Sequence, residues 1–281
     1  MPVNRWKNLY FRRLVFCSLL LTVIIIIALA APFIAPNDAY KVNMADAFAG
    51  PCRQYPLGTD DLGRCILSRI LCGARTTIFS SLSVVAVVAV IGTAIGITAG
   101  YMGGIVDEVL LKITLVFQAF PNFILAVAVA GILGSGLRNC MMSIVAVYWT
   151  KYARLSRSLT LGLAEEDYVK AARVCGAGEF QIMLRHIMPN MIAPLITTAA
   201  LDISGVILYM AGLSFLGLGA EKPSSEWGLM MNEARAYLQL HPRLLFLPGI
   251  ALLICVTLFN LFGDCIRDYM DHPYGNQPSE E

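Results

Sequence analysis

Six stretches of this chain contain no Asp, Glu, Lys or Arg: residues 14–37, 76–106, 113–137, 139–150, 186–201 and 244–263. A helix rising 1.5 Å per residue needs roughly 20 apolar residues to cross about 30 Å of hydrocarbon. Runs 14–37, 76–106, 113–137 and 244–263 meet that outright. Run 139–150 is short, but its flanking Arg138 and Lys151 can snorkel to the two interfaces. Run 186–201 continues through Asp202 to Ala220, which makes one span with a single buried acid. The sequence therefore predicts an all-α integral membrane protein with six transmembrane helices. The runs are continuously apolar rather than alternating, which argues against a membrane barrel. A chain that is 57% hydrophobic and 14% charged is also too apolar for an ordinary soluble domain.

The first span resembles a secretory signal at both ends, with Arg5, Lys7, Arg12 and Arg13 before it and Ala28, Ala30 and Ala31 at its close. Its apolar core, Leu14 to Ala31, is longer than the usual cleaved segment, so it reads as a retained anchor. The four cations before it favour an inward N-terminus. An even number of spans then puts the C-terminus in the cytoplasm as well. Three regions follow: 1–75 as anchor helix, outer loop and interfacial helix; 76–270 as a core of five spans; 271–281 as a cytoplasmic tail.

Between the first two spans, Ile66, Leu67, Ile70 and Leu71 recur at helical spacing opposite Arg64, Ser68, Arg69 and Arg75. That pattern predicts a helix lying in the outer interface, its charged side in water. Cys52, Cys65 and Cys72 share this region without a CxxC or a histidine that would make a metal site. In the second span, Gly92, Gly96 and Gly100 form one bare stripe at four-residue intervals, which lets two backbones approach closely in lipid. The stripe can pack against this chain's own helices or form a seam with a partner subunit. Pro121 in the third span frees a backbone carbonyl and is expected to kink the helix. Trp227 suits an interfacial belt.

The polar stretch Lys151 to Asn190 is punctuated by glycine and lies between apolar spans. Glu165, Glu166 and Asp167 open a helix whose dipole they complement, Gly176 and Gly178 break it, and a second short helix runs from Glu179 to Ile187 before Pro189. The spacing Ala171-Ala172, three residues, Gly176, nine residues, then a short run to Pro189 resembles the EAA loop of ABC importer permeases. Lys170 stands where that pattern has Glu, and His186 where it has Ile. The run Arg185-His186-Ile187-Met188-Pro189-Asn190 is similar to the peptide and nickel branch, as is Pro56-Leu57-Gly58-Thr59-Asp60-Asp61-Leu62-Gly63-Arg64. Cys65 replaces an acid usual in that block, a loss expected to remove one surface ion pair worth at most about 1 kcal/mol.

The resemblance implies a type I ABC importer permease in the bacterial cytoplasmic membrane. It further implies a heterodimer with a second permease subunit, two cytoplasmic ATPase subunits and an extracytoplasmic solute-binding protein. It assigns ATPase coupling to Tyr168, Ala171, Ala172, Gly176, Ile187 and Pro189.

Asp202 is the one ionisable residue placed deep in a span. It is expected either to hydrogen-bond to Thr197, Thr198, Ser204 or a neighbouring helix, or to accept a cationic substrate in the path. No phosphate-binding Gly-x4-Gly-Lys-Ser/Thr motif is present, so ATP hydrolysis is expected on other subunits. No catalytic constellation, metal-ligand cluster, cofactor motif or basic nucleic-acid tract stands out, and His186, His241 and His272 read as isolated interfacial residues. A secondary transporter or channel is the rival class, but Asp202 alone offers little for ion coupling. For cargo, Leu201-Asp202-Ile203 is similar to the nickel members, which favours nickel, free or chelated, over di- or oligopeptides.

Overall fold

The computed structural model describes residues 3–271. The expected tail and His272 therefore lie outside the described residues, apart from Asp271, which closes the last helix. The described chain is helical throughout, and its one β-type pairing is an isolated bridge between Thr59 and Cys65. In order come α1 (Val3–Ile34), α2 (Ile66–Met102), α3 (Gly104–Gln118), α4 (Asn122–Leu133), α5 (Leu137–Ala164), α6 (Asp167–Val174), α7 (Glu179–Ile182), α8 (Met188–Phe215), α9 (Trp227–Ala234) and α10 (Arg243–Asp271).

Four stretches are long and apolar enough to cross a membrane: Tyr10–Ile34, Ile66–Met102, Glu179–Phe215 and Arg243–Met270. Helices α3 and α4 pass the same test together, as one span bent by 90°. The break falls at Ala119, Phe120 and Pro121. Proline lacks an N–H and its ring clashes with the preceding turn, so the kink expected from the sequence becomes a corner. Helix α5, at 28 residues, has ample length, but Lys151, Arg154 and Arg157 dilute its apolar character.

The tightest seam joins α2 to α5. A methyl group added at Gly92 would stand 2.5 Å from the Trp149 carbonyl oxygen, one at Gly96 would meet the Ala153 carbonyl, and one at Gly100 would stand 2.9 Å from the Arg157 carbonyl. The glycine stripe is thus consumed inside this chain, which leaves it no free face for a partner subunit. Overpacking a close helix contact costs about 1–3 kcal/mol. Gly96→Val is therefore expected to lower the unfolding temperature in detergent and reduce folded protein, while Gly131→Val in α4, where nothing lies within 4 Å of an added methyl, changes neither. Equal behaviour of the two variants would show that the seam tolerates bulk.

Residues 66–75 are the outer end of one continuous α2 rather than a separate interfacial helix, because no glycine or proline interrupts the hydrogen-bond ladder at Arg75-Thr76. Nor does its charged side face water. Arg64 and Arg69 have side chains only 2% exposed. Arg64 bonds Asp60 at 2.7 Å and Glu233 at 3.1 Å, while Arg69 bonds the same two carboxylates at 2.7 and 2.8 Å. Arg69 also donates to the Ser224 carbonyl at 3.2 Å. Cys65 is buried at the start of α2, so the pairs beside it are interior ones and the surface-pair estimate does not apply.

This cluster fastens residues 44–65 to the segment around α9. Arg243 adds bonds to the carbonyls of Phe48 and Ala49 at 2.7 and 2.8 Å, and His241 stacks on Phe48 with ring centroids 4.4 Å apart. Trp227 is buried and donates its indole N–H to the Ile70 carbonyl at 3.0 Å, so it serves this outer cap and not an interfacial belt. Glu226 caps α9 by accepting from the N–H groups of Gly228 and Leu229 at 2.9 and 2.8 Å. Burial pushes the Glu226 carboxyl above its ordinary range, against the pull of those donors.

Candidate functional site

Two constellations stand out, one at the hairpin end of the bundle and one at mid-helix depth. The first is the hairpin between α5 and α8. Helix α6 begins with Asp167 in its first turn and ends at Gly176, whose φ of +84° is a left-handed conformation that favours glycine. Helix α7 passes through a π-helical turn, Met183–Ile187, directly into α8, with proline at the first turn of α8. Val169, Ile182, Ile187 and Met191 are fully buried and pack with Ile97 of α2. The Tyr168 hydroxyl accepts from Asn190 at 3.0 Å and donates to the His186 carbonyl at 3.3 Å. The Arg173 guanidinium lies over the Tyr101 ring, 5.6 Å from its centroid.

The hairpin is thus welded to the spans on one side and bare on the other. Val174 is 89% exposed and Phe180 70% exposed, and Ala171 and Leu184 share that open side. Of the six residues assigned to coupling, Tyr168, Ala171, Gly176 and Pro189 are exposed, Ala172 is half-buried and Ile187 is fully buried. Ile187 accordingly supports the hairpin from within. An exposed apolar surface rimmed by charged residues is of the kind that meets another protein or the membrane. Val174 and Phe180 were missed from the sequence; their signal was a large apolar residue on each side of the glycine break.

The second constellation centres on Asp202. Thr197, Thr198 and Ser204 donate instead to the backbone carbonyls of Ala193, Pro194 and Leu201. The partner of Asp202 is Lys151 on α5, with Nζ 2.6 Å from the carboxylate. Lys151 does not sit at a helix end. It lies 14 residues from the start of α5 and 13 from its end, and Asp202 holds the same place in α8. At 1.5 Å per residue, each is about 20 Å from either helix terminus.

The Asp202 side chain is 11% exposed and the Lys151 side chain 47% exposed. The second Asp202 oxygen and the Tyr152 hydroxyl are buried without hydrogen-bond partners. Along α5, Lys151, Arg154 and Ser158 repeat at helical spacing, and all three are exposed. Arg157, by contrast, is paired with Asp107 of α3. A cation at the centre of a lipid-facing helix costs roughly 2.5–3.5 kcal/mol, so this face of α5 has to meet water or protein. About one turn before Lys151 on α5, Tyr148 meets Tyr209 edge to face with centroids 5.2 Å apart, and Tyr209 stacks on Phe123 at 5.5 Å. Among the described residues no group of three His, Cys, Asp or Glu could hold a metal ion.

Residues 92–274 match the family described as the inner membrane component of binding-protein-dependent transport systems. The chain belongs to this family. It is 38% identical over 253 residues to the nickel transport system permease protein NikC of Escherichia coli K12, covering 90% of this chain and 91% of that one. It is 38% identical to the dipeptide permease protein DppC of Haemophilus influenzae over 255 residues, covering 89% of this chain and 86% of DppC. It is also 38% identical to the glutathione permease protein GsiD of Pectobacterium atrosepticum over 272 residues, covering 95% and 90% of the two chains. An inward-facing structure of the MetNI methionine ABC transporter superposes with a TM-score of 0.50 at 20% identity, covering 68% of this chain and 94% of that one. The fold is that of a type I ABC importer permease. The chain is a multi-pass inner-membrane permease of an ABC importer, and its relatives are permease subunits rather than enzymes.

Proposed function

We propose that this chain forms one half of a heterodimeric translocation pathway, and that its 165–187 hairpin takes the stroke of two cytoplasmic ATPase subunits. The observation that carries this reading is the division of the hairpin into a face buried against α2, α5 and α8 and a face of exposed apolar residues. Closure of the ATPases against the exposed face would move the spans to which the buried face is fixed. In this reading α5 is a span, α3 with α4 is another, and six spans leave both termini in the cytoplasm. An extracytoplasmic solute-binding protein delivers the cargo: nickel, free or chelated, as the sequence favoured, with di- or oligopeptides as the second reading supported by the dipeptide relative.

Uptake into vesicles that hold the assembled complex is expected to require ATP, to stop with vanadate and to persist after a protonophore collapses the proton gradient. Uptake that follows the gradient and ignores ATP would return the protein to the secondary transporters. Topology has its own check. Cys52 and Cys175 are both exposed, and an impermeant maleimide applied to intact cells is expected to label Cys52 and spare Cys175. The reverse pattern would invert the orientation.

A further inference from the structure

We propose that Lys151, backed by Asp202 and followed by Arg154, forms a cargo subsite that recognises a carboxylate. The inference rests on the importer reading and narrows its cargo. Within the pair, the Asp202 side chain is 11% exposed and its second oxygen is buried, while the Lys151 side chain is half exposed. What the pair presents is therefore its positive end. Arg154 lies one turn nearer the coupling hairpin on the same exposed face, with no ion-pair partner among the described residues. Two cations and one anion leave the cluster with a net charge of +1, because Arg157 is already neutralised by Asp107.

A fixed carboxylate that would have attracted a bare divalent cation is thus paired with an ammonium, and a bare cation meets the repulsion of Lys151 and Arg154. A carboxylate reaching Lys151 gains a charge-assisted hydrogen bond, and Arg154 offers the next station towards the cytoplasmic side. Tyr148, about one turn before Lys151 on α5, heads the aromatic group with Tyr209 and Phe123 and offers apolar contact for the rest of the solute. The carboxylate can belong to a peptide C-terminus or to an organic ligand that chelates nickel. Under either source, nickel crosses as a complex and not as the aqueous ion.

The test uses the assembled wild-type complex with three probes: nickel as the aqueous ion, nickel chelated by L-histidine, and a dipeptide with a free or an amidated C-terminus. ATP-dependent uptake is expected for the chelate or for the free-carboxyl dipeptide, which tells the two sources apart. The aqueous ion or the amide is expected to enter at least tenfold more slowly than its carboxylate-bearing counterpart. The exchange Lys151→Asp with Asp202→Lys keeps an ion pair and reverses which charge faces outward. It is expected to retain protein level and basal ATP hydrolysis while uptake of the carboxylate probe falls tenfold or more. Arg154→Gln removes an exposed side chain without breaking a contact and is expected to raise the KM for uptake severalfold with little change in maximal rate.

Wild-type uptake in the exchanged pair together with an unchanged KM in Arg154→Gln would make the cluster structural and overturn the subsite alone. So would aqueous nickel entering as fast as its chelate. Absence of ATP-dependent uptake for every probe in the wild type would remove the importer reading and the subsite with it.

Discussion

Ala171→Glu is expected to abolish uptake while leaving the chain in the membrane at its normal level. Ala171 is exposed on the open side of α6, so the new carboxylate costs nothing until an ATPase subunit covers it. An uncompensated charge in a closed interface costs roughly 3–5 kcal/mol, which corresponds to an affinity loss of about 100-fold or more. Uptake and co-purification of the ATPase are expected to fall together, with the unfolding temperature of the permease unmoved. Full transport by this variant would remove the hairpin from the coupling path. Gly176→Val is a poorer probe, because φ of +84° strains a β-branched residue in the free chain as well.

The second large effect belongs to the outer cap. Glu233→Gln is expected to destabilise the protein by about 3–5 kcal/mol, since it takes from two buried guanidinium groups a carboxylate that they share, leaving Arg69 with Asp60 alone and Arg64 with Asp60 and, at 3.6 Å, Asp61. In a chain of this size that is a fall of roughly 10 °C in the unfolding midpoint. Glu108→Gln is the matched control. Its ion pair with Lys112 is exposed, 62% and 70% for the two side chains, and pairs of that kind contribute little. A midpoint unchanged in both variants would mean that water reaches the Arg64 and Arg69 cluster.

Local signals carried much of this. Charge-free runs located the long spans, Pro121 located the break, and the Gly176 spacing located the hairpin. Long-range pairing was not legible. The helical period predicts Arg64 and Arg69 opposite Ile66 and Ile70, but Ile66 and Arg69 line one pocket with Glu233, and nothing nearby announced that Glu233, about 165 residues away, would cover the arginines. The run of uncharged residues that ends at Lys151 did not mark a helix end, since the helix continues to Ala164, and it did not announce Asp202 as the partner of Lys151. Its partner on α8 makes mid-helix depth tolerable. The glycine stripe was readable as a close contact, but which neighbour lay against it depended on the fold.

The hairpin's second helix and Asp202 lie on one rod. Residues 179–215 run as a single helical stretch through the π turn, which places Asp202 about 35 Å along it from Glu179. Lys151 belongs to a different rod, α5. A tilt of about 10° in the first relative to the second would displace the two charges by several ångströms, enough to part a 2.6 Å pair. Under the coupling proposed for the hairpin, the bond between them would act as a latch: closed, it shields the carboxylate, and sprung, it frees an ammonium and a carboxylate at the same instant. Mechanical work delivered at the hairpin would thereby be converted into a change of charge pattern about 35 Å along the same rod.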